Sequence, residues 1–403
     1  MATFISLLLT LSAILLAVPV AIFLIEVAAA IILSGRGAAA RVSVERDSHQ
    51  RLVVLVPAHN ESTGLLLTLA DIKQQLRTGD GILVVADNCS DDTAAIALAQ
   101  SVEVIERNDP AKRGKGYALD FGLQHLKLSP PEIVVMVDAD CRIAPNAINY
   151  LAKACSTTGR PVQALDLMTA PAGSGVNHQV AEFAWRVKNW LRPLGFKALG
   201  LPCQLMGTGM AFPWDVICCA DLNSGWVVED LKLGLDLTSK GHPPVFCPSA
   251  RVTSEFASSA RAARTQRERW EGGHISVILT TVPRMFFKAV SYRDWNLLAL
   301  TLDLAVPPLS LLAILVIAMF TVTTLSYALL GFSSLAPALS TATLLAFLLA
   351  AGLAWLKCGR DIVPVNAILL IAPYIFRKLG LYRAVLFEKT DAQWIRTDRT
   401  KSE

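Results

Sequence analysis

From Leu304 to Leu356 the chain carries no charged side chain, and a run of that length has few folded destinations. A hydrocarbon layer about 30 Å thick is crossed by roughly 20 apolar residues in a helix. Lipid offers the backbone no hydrogen bonds, so each crossing must satisfy its own. The run therefore predicts two helical spans joined by a short hairpin near Gly331–Pro337. Lys357 and Arg360 follow directly and place that end on the cytoplasmic side. Met1 to Ile25 is also free of charge, and the apolar sequence continues past Glu26 to Leu33. A cleaved signal peptide, with Ala38-Ala39-Ala40 as its processing site, is the rival reading. The length of the run and the absence of a basic leading region favour a retained anchor. Arg36, Arg41, Arg46 and Arg51 follow it, so the amino terminus is expected outside and the next domain inside.

Composition explains why this is not all membrane. Hydrophobic residues make up 53% of the 403-residue chain, yet 17% are charged and the mean hydropathy is +0.46. A globular domain flanked by membrane segments accommodates both facts. The net charge of +4, with no long basic block, argues against a nucleic-acid partner. Eight cysteines without a Cys-x-x-Cys pair read as small apolar fillers in a reducing compartment, and no structural zinc site is implied.

From Arg51 onward the pattern changes. Short apolar runs (Leu52–Val56, Ile82–Ala86, Val102–Ile105, Ile133–Val137) alternate with the amphipathic segments Leu65–Leu76 and Thr93–Gln100. Strands alternating with helices predict an α/β fold with a parallel, doubly wound sheet. Three runs end in polar residues: Pro57-Ala58-His59-Asn60-Glu61, Asp87 through Thr93, and Asp138-Ala139-Asp140. In open sheets of this kind ligands bind at the carboxyl ends of the strands. Asp138 and Asp140 are hard oxygen ligands, suited to Mg²⁺ or Mn²⁺ carrying a diphosphate, although Asp is also common where a strand enters a turn. Ser90, Asp91 or Asp92 is expected to cap the next helix, which leaves Asp87 as the better binding candidate.

Other clusters are weaker one by one. Lys115 lies in Arg113-Gly114-Lys115-Gly116, a loop that could pair with phosphate or stand as a solvated basic turn. Gly207-Thr208-Gly209 is either a close-approach turn or an ordinary one. Glu229 and Asp230 open a helix, where the helix dipole favours acids. Gln266, Arg269 and Trp270 fall on a strongly basic helix, and the embedded Trp270 counts against a plain exposed face. Trp185 and Trp190, with Arg186 and Lys188 on a helix over 177–191, either lie near a membrane surface, the favoured reading, or pack as plain core. His274–Val290 reads as an interfacial helix. Ile362–Phe376, with Pro364 and Pro373, is too short to span and reads as re-entrant or interfacial before a basic tail.

In order along the chain, Val56–Glu61, Ala86–Thr93, Arg113–Gly116, Asp138–Asp140, Glu229–Asp230 and Gln266–Trp270 resemble the family 2 inverting glycosyltransferases. Within that family they look like the membrane-embedded polysaccharide-synthase branch, which includes cellulose, chitin, hyaluronan and Nod-factor chitooligosaccharide synthases. The resemblance implies a GT-A (Rossmann-like) domain over 50–275 between an anchor at 1–35, an interfacial helix at 276–294, two spans within 295–358 and a re-entrant segment and tail at 361–403. It implies a nucleotide-sugar donor, usually UDP-linked, with Pro57, His59, Glu61, Asp87, Lys115 and Asp138 on the donor, Asp138 and Asp140 on Mg²⁺ or Mn²⁺, and Asp230 as the catalytic base. Gly207, Thr208, Gly209, Glu229, Gln266, Arg269 and Trp270 would line the acceptor and diphosphate. The expected partners are the donor, a growing glycan or lipid-linked acceptor, and membrane lipids, in a multi-pass inner-membrane hexosyltransferase facing the cytoplasm. Val228 stands where Thr is common in that branch, and three spans are few for a polymer-secreting pore. Processive and single addition therefore both stay open, as does one-step transfer to a polyprenyl phosphate. A scaffold or export subunit without catalysis is the rival from another class.

Overall fold

The computed structural model describes residues 2–33, 50–223, 228–366, 378–380 and 382. Eight strands form one sheet: β1 Leu52–Ala58, β2 Gly81–Asp87, β3 Glu103–Arg107, β4 Ile133–Met136, β5 Arg142–Ile143, β6 Val162–Thr169, β7 Met210–Pro213 and β8 Val245–Glu255. Their spatial order is β3-β2-β1-β4-β7-β6-β8-β5. β1 is the hub, paired in parallel with β2 on one side and β4 on the other. Its seven residues are all buried because helices cover both faces. Leu52, Val54 and Val56 meet Leu65, Leu69 and Ile72 on one face, whereas Val53 and Leu55 meet Leu119, Leu123 and Leu126 on the other. A strand buried on both sides shows no polar alternation, which is why these runs read as continuous apolar stretches.

The expected parallel pairing holds over β1–β4 and ends beyond β4, where the regular alternation of the sequence also stops. There β7 runs antiparallel, Ile133 opposite Pro213 and Met136 opposite Met210. The chain reaches it through Gly207 and Gly209, both at positive φ (89° and 63°), a turn most side chains resist. A Cβ at Gly209 would come within 2.8 Å of Ala164 and Val252, so this glycine is required by packing. Between Ala164 and Leu165 the pairing of β6 with β8 slips from Cys247 to Arg251. Pro248 lies in that gap, and without an N–H it cannot continue the ladder.

Among the described residues three helices are long and apolar enough to cross a membrane: Thr3–Ile32, Leu309–Leu330 and Leu335–Cys358. The last two are joined after Gly331, which caps the first of them at φ 65°, inside the stretch expected to form the hairpin. Phe23 of the first helix packs on Phe347 of the third, at 6.3 Å between ring centroids. The short helix Arg192–Ala198 lies so close against the first helix that a Cβ at Gly195 would overlap the Glu26 carbonyl. In the same contact Arg192 Nε donates to Glu26 Oε2 at 2.5 Å and its Nη2 to Asp303, all three residues being buried.

The segment expected at the interface is two helices, Ala260–Thr280 and Val282–Tyr292, with Phe286, Phe287 and Val290 of the second exposed. For Trp185 and Trp190 the structure shows the second reading, packing inside the fold. Trp185 packs against Phe256 and Trp270, and Trp190 sits partly buried against the cluster of Leu165, Cys203 and Phe246. The helix that carries them is α-helical over Val176–Arg186 and then widens to a π-helix over Val187–Leu191. Arg36, Arg41 and Arg46, Val227, the segment 367–377 and the basic tail from Arg383 lie outside the described residues.

Candidate active site

The polar exits of β1, β2 and β4 adjoin one another because the strands do. After β1, His59 Nδ1 lies 2.7 Å from the Asp87 carbonyl, Asn60 Oδ1 accepts from the Ser90 N–H, and the Glu61 N–H donates to Thr93 Oγ1. Asp91, expected as a cap, accepts from Thr93 and from the Ser62 N–H, joining the two exits. Pro57 stays inside β1, opposite Val85. Asp87 is 1% exposed and accepts from Arg107 Nη1 at 2.6 Å and from Asn88 Nδ2 at 3.1 Å. Arg107 is the residue directly opposite Asp87 in the β2–β3 register and stacks on Tyr117. Sequence reasoning missed Arg107; its signal is a cross-strand charge pair, readable only once the register is known.

Beyond β4 the acids gather around one ammonium. Lys115 Nζ lies 2.5 Å from Asp138 Oδ1 and 3.9 Å from Glu229 Oε1, and donates to the Gly207 carbonyl at 2.8 Å. Four motifs spaced along the chain thus meet at a single side chain. The Asp138 N–H donates to Thr208 Oγ1 at 3.1 Å. A Cβ at Gly207 would stand 3.4 Å from Asp230 Oδ2 and 3.5 Å from Lys115 Nζ, which puts Asp230 in the same group. Glu61 Oε2 and Asp140 Cβ both lie 3.6 Å from the point a Cβ at Gly64 would occupy, so Glu61 neighbours Asp140.

Asp138, Asp140 and Cys141 bring ligand atoms within 4.8 Å of one another. Burial and the adjacent carboxylates push the Cys141 thiol upward, so it stays protonated. The two carboxylates are then the donors, and hard oxygens of that type fit Mg²⁺ or Mn²⁺, which retain open positions for phosphate oxygens.

Glu229 and Asp230 open the helix Glu229–Ser239, as expected. Burial raises both carboxyl groups, Lys115 opposing it at each and Lys188 at Asp230. Asp166 on β6 was not anticipated. Burial, aided by the charge on Asp138, pushes it up to about 7, and Asn189 Nδ2 donates to it at 2.9 Å. Lys188 is a third residue not anticipated at the site, lying over the Trp185 ring at 5.6 Å.

The helix Ala260–Thr280 closes the far wall. Gly273 lets it approach Val228, just before the acidic pair: a Cβ there would come 2.7 Å from Val228 Cγ1. Gln266 is buried, and its amide oxygen has no hydrogen-bond partner among the described residues. Arg269 is half-buried, which lowers its affinity for a proton. Trp270 packs on Trp185 at 5.0 Å. His274, one turn on, is buried against the Leu304 carbonyl at 3.0 Å, and burial pushes its imidazole down to about 3 from 6.5. The unfolded chain takes up that proton below about pH 6.5 and the folded chain does not. His274 therefore contributes stability that is present above pH 6.5 and lost as pH falls toward 3, by about 1.4 kcal/mol per unit across that window. Thermal unfolding against pH should show this slope in the wild type and a flatter one in His274→Gln.

A parallel sheet core extended by an antiparallel strand, with carboxylates at the strand exits, is the GT-A arrangement of the nucleotide-sugar transferases. Residues 49–273 match the model of the glycosyltransferase-like family 2, and the chain belongs to that family. In fold it is similar to a mannosyltransferase from Pyrobaculum calidifontis in complex with GDP-Man and Mn²⁺, at 17% identity and TM-score 0.52, covering 93% of this chain and all of that one. It is also similar to GalNAc-T7 with UDP, GalNAc and Mn²⁺ (15% identity, TM-score 0.42, 62% of this chain and 52% of that one). A glucosyl-3-phosphoglycerate synthase from Mycobacterium tuberculosis follows at 18% identity and TM-score 0.35, covering 51% of this chain and 71% of that one. No curated protein matches the chain.

Proposed function

We propose that this chain is a membrane-bound inverting hexosyltransferase of the polysaccharide-synthase type, transferring a sugar from a nucleotide-sugar donor, UDP-linked by preference, to a growing glycan or a lipid-linked acceptor. The observation that carries the reading is Lys115, which reaches Asp138, the Gly207 carbonyl and Glu229 at once, so that residues far apart in sequence face one crevice. Three helices of spanning length support a multi-pass protein of the inner membrane, and the basic residues after the first helix support a cytoplasm-facing domain.

In this reading Asp138 and Asp140 hold Mg²⁺ or Mn²⁺, which supplies neutralisation of the leaving diphosphate. Pro57, His59, Glu61 and Asp87 form the donor wall, with the Asp87 carboxylate held by Arg107 and its carbonyl against His59. Lys115 and Arg269 add positive charge toward the departing phosphates. Asp230 takes the proton of the attacking hydroxyl on the face opposite the leaving group, and a single displacement of that kind inverts the anomeric carbon. Gln266 and Trp270 line the acceptor side with Gly207, Thr208, Gly209 and Glu229.

The test is nucleotide release by purified protein from a panel of UDP-, GDP- and dTDP-sugars, with and without Mn²⁺. Metal-dependent release from one class is expected, and Asp140→Ala should weaken Mn²⁺ and donor binding by at least about ten-fold. Release from none of the donors, or a response to EDTA titration unchanged in Asp140→Ala, would contradict the reading.

A further inference from the structure

Of the eight cysteines, five are buried and fill apolar space as expected: Cys141, Cys155, Cys203, Cys247 and Cys358. Cys218 and Cys219 are different. They follow the short helix Trp214–Ile217, whose Val216 and Ile217 are held in the core, and Cys219 is exposed while Cys218 is half-buried. The Cys218 thiol reaches the Asp215 carbonyl at 3.6 Å, and the two sulfurs stand 3.5 Å apart. The helix comes directly after β7, where Pro213 lies opposite Ile133, the first residue of β4. The pair therefore sits at the edge of the sheet away from Asp138 and takes no part in the acid centre.

That spacing decides what the pair can hold. Neighbouring Cα atoms are about 3.8 Å apart, less than the roughly 4.4 Å that an unstrained disulfide needs, so a direct sulfur–sulfur bond is disfavoured. One soft atom bonded to both sulfurs at about 2.3 Å, the length of a zinc–thiolate bond, would span the 3.5 Å with an angle of about 99°. Such an angle suits a three-bonded pyramidal centre and is tighter than a tetrahedral ion prefers. A tetrahedral ion also needs two more ligands. Among the described residues, three or more metal-ligating side chains come together only at Asp138, Asp140 and Cys141, on the other edge. Burial and the Cys219 contact raise the Cys218 thiol, with Lys127 opposing them, so that thiol rests protonated. An oxide that takes thiol protons away as water fits this state better than a bare cation, which binds thiolate.

We infer that Cys218 and Cys219 form a chelating dithiol site for a trivalent arsenical, a centre soft enough for sulfur and complete with two thiolates and its own organic group. With a monosubstituted arsenic oxide, two S–H bonds and the arsenic–oxygen double bond break, and two arsenic–sulfur bonds form. The oxygen leaves as water with both thiol protons. Arsenic stays trivalent, so neither oxidant nor reductant enters. The site goes beyond the transferase reading and does not depend on it.

In the experiment the full chain in detergent is titrated with phenylarsine oxide, alkylated with iodoacetamide and mapped by peptide mass. One equivalent is expected to protect Cys218 and Cys219 together, without protecting Cys89, the remaining cysteine that is not buried. The small dithiol 2,3-dimercaptopropanol should reverse the protection, and 2-mercaptoethanol at the same thiol concentration should not. Cys218→Ser and Cys219→Ser should each weaken binding by about 10²–10⁴-fold, because the second arsenic–sulfur bond is no longer intramolecular. An unchanged thermal unfolding midpoint in both variants reports an intact fold. No protection of the pair, protection of one thiol alone, wild-type binding in either serine variant, uptake at Cys89 or a buried cysteine instead, or release by the monothiol as readily as by the dithiol would overturn the assignment.

Discussion

Asp230→Asn is expected to lower turnover by about 10²–10⁴-fold while leaving nucleotide affinity nearly unchanged. The substitution keeps the shape of the side chain and removes the group that accepts a proton. The proposed role draws on two observations: Asp230 lies in the first turn of its helix, and Gly207, lacking a side chain, lets the Asp230 carboxyl and the Lys115 ammonium approach the same backbone. Burial holds the Asp230 carboxyl above its ordinary value, against the pull of Lys188 and Lys115. If, as proposed, the ionised form is the base, turnover should fall as pH drops through that raised value, and the Asn variant should lose this limb of the profile. Steady-state turnover with titrated UDP competition measures both. A rate near wild type in Asp230→Asn removes the residue from the role and leaves Glu229, its immediate neighbour beside Lys115, as the remaining acid there.

What could be read from the sequence follows from how each feature is encoded. β1, β2 and β4 are buried on both faces and so appear as unbroken apolar runs, and a carboxylate at the end of such a run marks a strand exit without any knowledge of neighbours. Asp138, Asp140 and Asp87 were legible for that reason. Features set by pairing were not. Arg107 neutralises Asp87 only because β3 aligns opposite β2, and β7 pairs antiparallel only because two positive-φ glycines turn the chain before it. Lys188 and Asp166 meet the site through a π-helical turn and a central strand, neither of which leaves a periodic trace. Trp185 looked like an interfacial aromatic because its neighbours Arg186 and Lys188 are basic. In the fold Arg186 pairs with Glu182 and Asp361, which frees the tryptophan to pack inward on Trp270.

Arg192→Met should destabilise the protein by about 3–5 kcal/mol, the cost of stranding a buried charge rather than of losing an ion pair. Glu26, Arg192 and Asp303 are at most 5% exposed, and one guanidinium serves two carboxylates. Met fills the space of the arginine stem but offers neither acid a donor, so both carboxyl groups are left in an apolar surround. Gln204 Nε2 still donates to Asp303 Oδ2 at 2.7 Å, which makes Glu26 the more exposed to the loss. The consequence reaches the site, since Gln204 stands three residues before Gly207, whose carbonyl holds Lys115. The first membrane-type helix is thereby tied through side chains to the loop beside the acid centre. Unfolding in detergent should show a lowered midpoint for Arg192→Met, and Glu26→Leu with Asp303→Leu on the same background should recover much of it by removing the stranded acids. A midpoint equal to wild type in the single variant would mean that water or lipid headgroups reach the cluster and that the three charges are not a buried unit.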